Sequence, residues 1–307
     1  MNDKVSDSNG TNFKHCDRRS LSSYIVALRP WSFSASMTPV LVGCAICYKK
    51  TGNFDFLVYL LTSVAVLAVH AAGNLVNTYY DYIKGIDSKI SDDRTLVDRV
   101  LTPHEVVQLG VVSYIIGCFG LCGLIYLSPA SLVQMSLLFF GGLSASFLYT
   151  GGFALKYYAL GDLVIVITFG PLAVLFSYVA QCGSFSLVPL LYALPLVLNT
   201  EAILHSNNTR DITQDKLNGI ITLAILLGQK GSYILFMFLM FTPYIIFTVL
   251  AVNYKLAFLL PLVTIRVAFA LDRLFRRQIL DSLPKKVAEL NLYMGLFYLI
   301  SILIGVD

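Results

Sequence analysis

Charge is what this sequence has least of: Asp, Glu, Lys and Arg make up 13% of its 307 residues, about half the share of an ordinary soluble domain. A soluble fold cannot hide the apolar surface that remains, since 57% of the chain is hydrophobic and the mean hydropathy is +0.73. The composition argues against a secreted domain, a cytosolic enzyme or a nucleic-acid binder. The formal charge of +4 identifies no polyanionic partner. A polar cysteine-rich module is also missing: five of the six cysteines (Cys44, Cys47, Cys118, Cys122 and Cys182) lie in or beside apolar segments, not in a disulfide framework. Cys44-x-x-Cys47 has redox or metal spacing, but it follows Val40-Leu41-Val42-Gly43 and reads as packed or lipid-facing thiols. Residues 1–23 lack the apolar core of a cleavable signal; they are expected to form a mobile polar tail ahead of one membrane domain over residues 24–307.

Long apolar runs are what the chain has instead. A membrane helix needs about 20 largely apolar residues, and runs starting near Trp31, Phe56, Val106, Leu132, Leu163, Leu187, Tyr233, Leu256 and Asn291 supply nine. The expected fold is an all-α polytopic bundle of nine transmembrane helices. Loops then alternate between two sides, and 19 of the 22 Lys and Arg residues fall on the side of the N-terminus, leaving Lys49, Lys50 and Lys255 on the other. By the positive-inside rule the N-terminus and the loops after spans 2, 4, 6 and 8 face the cytoplasm. Arg266 sits inside span 8, where it must snorkel, pair internally or mark a misplaced span end. The long polar connections, residues 81–103 and 207–219, are both cytoplasmic, so chemistry is sought there.

Each follows an Asn-x-x-x-Asp pattern. Span 2 ends in Asn77-Thr78-Tyr79-Tyr80-Asp81, with Asp87 six residues on; Asn77 and Asp81 share one helix face, and Gly85 offers the break that swings Asp87 back. Span 6 ends in Asn207-Asn208-Thr209-Arg210-Asp211 and then Asp215, a stripe at spacing four with Asn208 beside it. A lone cluster of this kind also describes a helix end passing into water. Two at the same spacing on the same side look like the two halves of a duplicated bundle. Four acids at a bundle mouth are costly unless cations neutralise them. Oxygen ligands suit hard cations, and Mg²⁺ characteristically bridges one or two carboxylates to substrate phosphates. Two divalent ions would balance Asp81, Asp87, Asp211 and Asp215, leaving a diphosphate to basic groups such as Arg29, Lys84, Arg94, Lys156, Arg210 and Lys216.

On these motifs, with Tyr149-Thr150-Gly151-Gly152 and Leu160-Gly161-Asp162-Leu163, the chain resembles the UbiA superfamily of intramembrane prenyltransferases over residues 29 to 305. The superfamily's first motif is usually Asn-x-x-x-Asp-x-x-x-Asp; the five residues between Asp81 and Asp87 depart from it and are similar to the menaquinone-type branch. The resemblance implies nine helices around a central cavity capped by cytoplasmic loops, and transfer of an isoprenyl chain from an allylic diphosphate to an aromatic acceptor. In that scheme Asn77, Asp81 and Asp87 bind one Mg²⁺, and Asp211 and Asp215, with Asn207 or Asn208, a second. Lys84, Arg94, Lys156, Arg210 and Arg29 complete the diphosphate clamp. An allylic cation needs walls that neither attack nor hydrate it, such as aromatic faces; Tyr149, Tyr157 and Tyr158 flank a cytoplasmic loop and are candidates. Asp162, at the start of span 5, is the candidate carboxylate for the acceptor's hydroxyl, while Glu201 and His205, four apart in span 6, read either as a polar pair inside the cavity or, by preference, as a structural hydrogen bond.

The implied substrates are geranylgeranyl diphosphate and a reduced naphthoquinone such as menadiol, giving a menaquinone-type vitamin K in the endoplasmic reticulum or Golgi, with a mitochondrial membrane also compatible. The alternatives are ubiquinone-type prenylation, a non-catalytic prenyl-diphosphate sensor, and an ion-coupled transporter. The transporter predicts acids near the bilayer midplane, whereas these lie at span ends. A lipid phosphotransferase would show an Asp-Gly-x-x-Ala-Arg element, which the sequence lacks.

Overall fold

The computed structural model describes residues 21–87 and 93–306; most of the expected tail, with Cys16, and residues 88–92 lie outside the described residues. A short helix, Leu21–Ala27, begins inside the stretch read as tail. The main helices are α1 (Ser34–Thr51), α2 (Phe56–Ile83), α3 (Pro103–Leu127), α4 (Leu132–Thr150), α5 (Gly161–Cys182), α6 (Val188–Arg210), α7 (Leu223–Asn253), α8 (Ile265–Arg276) and α9 (Leu283–Gly305). Eight are long and apolar enough to cross a membrane: all but α8, with α1 counted from Pro30. The expected eighth span is divided into a 3₁₀ segment, Leu256–Thr264, and the short, Arg-rich α8 that continues it. Pro261 lies within that 3₁₀ segment, where an α-helix would lose a hydrogen bond, and Arg266 is exposed at the start of α8.

Local chemistry sets the helix starts on the side away from the acids. Asp55 accepts from the amides of Leu57 and Val58 to cap α2, and Ser131 with Gln134 forms a reciprocal capping box on α4. Helix contacts rely on small residues where lipid gives no hydrophobic drive. A Cβ at Gly43 would lie 2.4 Å from the Val174 carbonyl and against Ser177, and one at Gly295 would lie 2.4 Å from Thr38, so α1 sits close against both α5 and α9. The core between helices is aromatic, with Tyr178, Phe236, Phe247, Phe258, Phe275 and Tyr298 fully buried. Outward faces are apolar too, Phe119, Leu137 and Val252 among them, as a bilayer requires and water would not tolerate.

One cysteine reading is corrected. Cys47 and Cys182 form a disulfide between the ends of α1 and α5, 135 residues apart; only the side-by-side packing of these helices brings them together, so spacing carried no hint. Cys44 is a buried free thiol, and Cys118 and Cys122 are also free.

Candidate active site

The opposite ends of α2 and α6 form the mouth of a cavity. Asp81, near the end of α2, is 4% exposed. Its Oδ2 accepts from Lys156 Nζ at 2.6 Å and Asn77 Nδ2 at 2.9 Å, and its Oδ1 from the Tyr157 hydroxyl at 2.8 Å. Asn77 Oδ1 accepts from Lys156 Nζ at 3.0 Å and Thr150 Oγ1 at 3.1 Å. The expected swing of Asp87 is present: α2 stops at Ile83, Gly85 takes φ +71°, and the amides of Ile86 and Asp87 donate back to the Asp81 carbonyl at 2.8 and 3.3 Å. Glycine takes this left-handed turn without steric cost. The Asp87 carboxyl is pushed up to about 7, first by burial and then by Asp81 and Asp93, against the pull of Arg29 and Lys156.

The second ladder differs from the expected continuous stripe. α6 ends at Arg210, Asp211 leaves helical geometry at φ −93° and ψ 4°, and a short helix restarts over Ile212–Leu217. The Asp215 amide still donates to the Asp211 carbonyl at 2.8 Å, which keeps the two acids one turn apart. Arg210 grips Asp211 with two bonds, Nε to Oδ1 at 2.7 Å and Nη2 to Oδ2 at 2.8 Å, and reaches Asn207 Oδ1 at 2.9 Å. Asp215 is pushed up to about 7 by burial, with Asp211 and Asp81 adding to the rise and Lys156 and Arg210 opposing it. Asn207 and Asn208 of this ladder line the same cavity as Asn77 and Lys156 beside the first, so the two ladders meet at one mouth.

Arg29 occupies a left-handed turn just before Pro30, with φ 54°. Its Nη2 donates to Asp93 Oδ2 at 2.6 Å, where Thr78 Oγ1 also donates at 2.5 Å, and the Thr95 amide donates to Asp93 Oδ1 at 3.0 Å. Burial alone would raise the Asp93 carboxyl, but Arg29 and these donors hold it well below the usual carboxylate range. Sequence reasoning missed Asp93 and the hydrogen-bonding role of Tyr157. Asp93 lies in a polar loop where spacing does not say which acid folds back, and Tyr157 had been read for its ring face alone.

Other expected residues fall differently. The Lys84 ammonium sits 3.7 Å from the centre of the Tyr157 ring, a cation–π contact beside the first ladder. Arg94 pairs with Asp98 at 2.8 Å, with both side chains substantially exposed, and does not line the cavity. Tyr158 is exposed. Asp162 is buried but does not line the cavity either; its Oδ1 and both carboxyl oxygens of the buried Glu201 have no hydrogen-bond partner. His205 Nε2 donates to the Ser232 carbonyl at 3.0 Å, and neither Glu201 oxygen is hydrogen-bonded, so Glu201 and His205 do not pair along α6.

The cavity itself is about 240 Å³. One face of α2 lines it at helical spacing, Asn77, Asn74, Gly73, His70, Val69 and Val66, passing from polar rim to apolar depth. Tyr149, Lys156, Asn207, Asn208 and Arg29 close the rim, and Leu138, Phe139, Phe169, Leu172 and Phe176 make the apolar wall. Among the described residues no three His, Cys, Asp or Glu side chains form a ready metal cage. That suits the donor set: carboxylate and amide oxygens contributed from two sides fit a hard cation completed by substrate phosphates, since Mg²⁺ seldom uses an all-protein cage.

Comparison with known proteins agrees. The sequence profile of the UbiA prenyltransferase family matches residues 36–298. The chain is 58% identical over 288 residues to the UbiA prenyltransferase domain-containing protein 1 of Mus musculus, covering 94% of this chain and 86% of that one. It is 57% identical over 288 residues to the Homo sapiens protein of that name, covering 94% and 85%. It is 50% identical over 284 residues to the Drosophila melanogaster homolog, covering 92% and 79%. Among solved structures, the apo UbiA homolog from Aeropyrum pernix K1 superposes with TM-score 0.68 at 18% identity, covering 88% of this chain and 97% of that one. The UbiA homolog from Archaeoglobus fulgidus bound to GPP and Mg²⁺ gives 0.58 at 14%, covering 90% and 99%. At these identities the solved structures speak for a shared fold.

Proposed function

Because the chain belongs to the UbiA prenyltransferase family, we propose that it transfers a geranylgeranyl group from its diphosphate to a reduced naphthoquinone such as menadiol, making a menaquinone-type vitamin K with two Mg²⁺ ions. The observation that carries the reading is that Lys156, bonded to Asp81, lines the rim of one apolar cavity together with Asn77 of the first ladder and Asn207 and Asn208 of the second. A family relative of the same fold has been solved with GPP and Mg²⁺, and another structure of it with DMAPP and Mg²⁺.

Asn77, Asp81 and Asp87 would hold one ion and Asp211, Asp215 and Asn207 or Asn208 the other. Bound there, Mg²⁺ supplies Lewis-acid stabilisation of the leaving diphosphate. The protein's own groups do the rest. Lys156 and Arg210 lie within bonding distance of the acids and can meet the diphosphate's remaining charge; Arg29 and Lys84 add cations nearby. The apolar wall receives the isoprenoid and keeps water from the allylic centre, while Tyr149 offers a ring at the rim. The acceptor carbon bonds to the allylic carbon as the carbon–oxygen bond to diphosphate breaks, and the ring proton then passes to the released diphosphate, restoring the aromatic ring.

The orientation that puts these ladders in the cytoplasm puts the Cys47–Cys182 disulfide on the opposite face. A disulfide there suits an oxidising lumen and favours the endoplasmic reticulum or Golgi over a mitochondrial membrane. Purified protein supplied with geranylgeranyl diphosphate and menadiol should form the coupled product by mass spectrometry, and chelator or Asp211→Ala should abolish it. Absence of product across a panel of diphosphates and aromatic acceptors would defeat the reading.

A further inference from the structure

The cavity contains a polar spot that neither the acids nor an isoprenoid tail explains. His70 lies on α2 seven residues before Asn77, about 10 Å deeper along the helix. Both ring nitrogens are engaged: Nδ1 with Ser36 Oγ at 2.6 Å and Nε2 with Ser32 Oγ at 3.2 Å. The tautomer follows from the neighbours. Ser32 Oγ sits 2.8 Å from the Arg29 carbonyl, which can only accept, so the Ser32 proton goes there. Nε2 must then carry a hydrogen and donate to Ser32, leaving Nδ1 bare to accept from the Ser36 hydroxyl. Asn74 Nδ2 donates to the Leu28 carbonyl at 2.9 Å and to Ser32 Oγ at 3.2 Å. Ser32 and Asn74 thereby hold the left-handed turn at Arg29.

Ser36 is different. Thr38, two residues on, sends its hydroxyl to the Ser34 carbonyl one turn back, but Ser36 sends its proton to His70. Ser36 lines the cavity, and its oxygen has lone pairs but no proton to offer. Such a group accepts from an O–H and cannot serve a carbonyl, which itself needs a donor. An isoprenoid chain has no O–H; a phenol or quinol does.

We propose that Ser36 is the contact through which the cavity recognises the aromatic acceptor by a free hydroxyl, with His70 as the positioning residue that turns the Ser36 proton away. This rests on the prenyltransferase reading and adds to it a physical reason for selecting the reduced acceptor: a quinol donates to Ser36 Oγ, whereas its quinone presents two acceptors to an acceptor. The depth fits, because reacting atoms must come within about 3–3.5 Å and a bicyclic ring placed against the allylic carbon at the rim carries its oxygens toward His70.

Binding can be read without turnover, since Trp31 is the only tryptophan and lines the cavity. Its fluorescence, titrated with a naphthoquinol, the quinol's dimethyl ether and the quinone, should show the quinol binding about tenfold or more tightly than either analogue, the worth of one buried hydrogen bond. Ser36→Ala should raise the acceptor KM by a similar factor, leaving the KM for allylic diphosphate and the Mg²⁺ dependence unchanged, and Ser36→Thr should restore it. In His70→Phe, which keeps a ring against Phe33 and Phe169, the Ser36 proton is released toward the cavity. Quinone binding should then tighten while quinol binding weakens. Equal binding of quinol, ether and quinone to the unmodified protein overturns the proposal, as does a parallel rise in both KM values in Ser36→Ala, the mark of a merely structural role. Selective binding without product with any acceptor would sink the catalytic reading and leave the hydroxyl-recognising site standing.

Discussion

Lys156→Met separates the two roles this lysine must play. Its ammonium lies 2.6 Å from Asp81, and the two side chains are 17% and 6% exposed. Removing one partner of a buried pair costs about 3–5 kcal/mol, because the remaining charge is left uncompensated. Tyr157 and Asn77 still donate to Asp81, which places the loss at the lower end, about 3 kcal/mol. In chelator the variant should therefore unfold at a lower temperature than the parent. Mg²⁺ alone should rescue it more strongly, since the metal no longer displaces an ammonium from its ligand; the same 3 kcal/mol corresponds to metal affinity higher by up to about a hundredfold. For the allylic diphosphate the sign reverses. The lost ammonium donated a charge-assisted bond worth about 1.5–3 kcal/mol, so diphosphate affinity at saturating Mg²⁺ should fall by at least about tenfold. Thermal unfolding of solubilised protein, titrated first with Mg²⁺ and then with diphosphate, reads all three. Equal Mg²⁺ stabilisation of variant and parent, or undiminished diphosphate binding, would refute the assignment of Lys156 to both partners.

Asp87 and Asp215 are each pushed up to about 7, so below that point they hold protons and cannot ligate metal. Mg²⁺ affinity in the absence of substrate should rise as pH increases through about 7, with proton release in calorimetry, and should fall by up to about tenfold per pH unit for each proton displaced below it. Asp93→Asn strips the counter-charge from the half-buried Arg29 and should weaken both stability and diphosphate binding, whereas Arg94→Ala, altering an exposed pair, should change stability by less than about 1 kcal/mol. Gly43→Val would force a side chain into the Val174 backbone and should lower thermal stability by at least about 1–3 kcal/mol. Cys47→Ser should cost about 2–4 kcal/mol in unfolding with catalytic parameters retained, because the disulfide lies at the far end of α1 from the acids.

How far the sequence carried depended on the range of the interaction. Membrane helices declare themselves by apolar length, and eight of nine expected spans stand as single long helices; the other is divided at Thr264 into a 3₁₀ segment holding Pro261 and the charged α8. Asn77, Asp81 and Asp87 were legible because their relation is local: one helical turn, then a glycine. The break at Asp211 was less so, since nothing in the residue types distinguishes a helix that ends and restarts from one that continues. Contacts between distant segments were invisible. Arg29 with Asp93, Tyr157 with Asp81 and Cys47 with Cys182 each join elements that only the packed bundle brings together. Asp162 shows the hazard: a carboxylate at the start of a span looks like a cavity group, yet it is buried away from the cavity lining.

The basic residues nearest the ladders are not spread evenly over the acids. Lys156 holds Asp81 and Arg210 holds Asp211, whereas Asp87 and Asp215 lean toward protonation instead. Below about pH 7 the site therefore neutralises itself in two ways, half by internal ion pairs and half by protons. On the proposed function, metal entry would displace both: protons leave Asp87 and Asp215, and the ammonium and guanidinium leave their carboxylates. Those cations are then available at the mouth where a diphosphate must be held. Metal alone would bind weakly because it has to break the pairs, and diphosphate alone would bind weakly because the cations are engaged. Their binding should be mutually reinforcing, and Lys156→Met should weaken that cooperativity while strengthening the binding of the metal by itself.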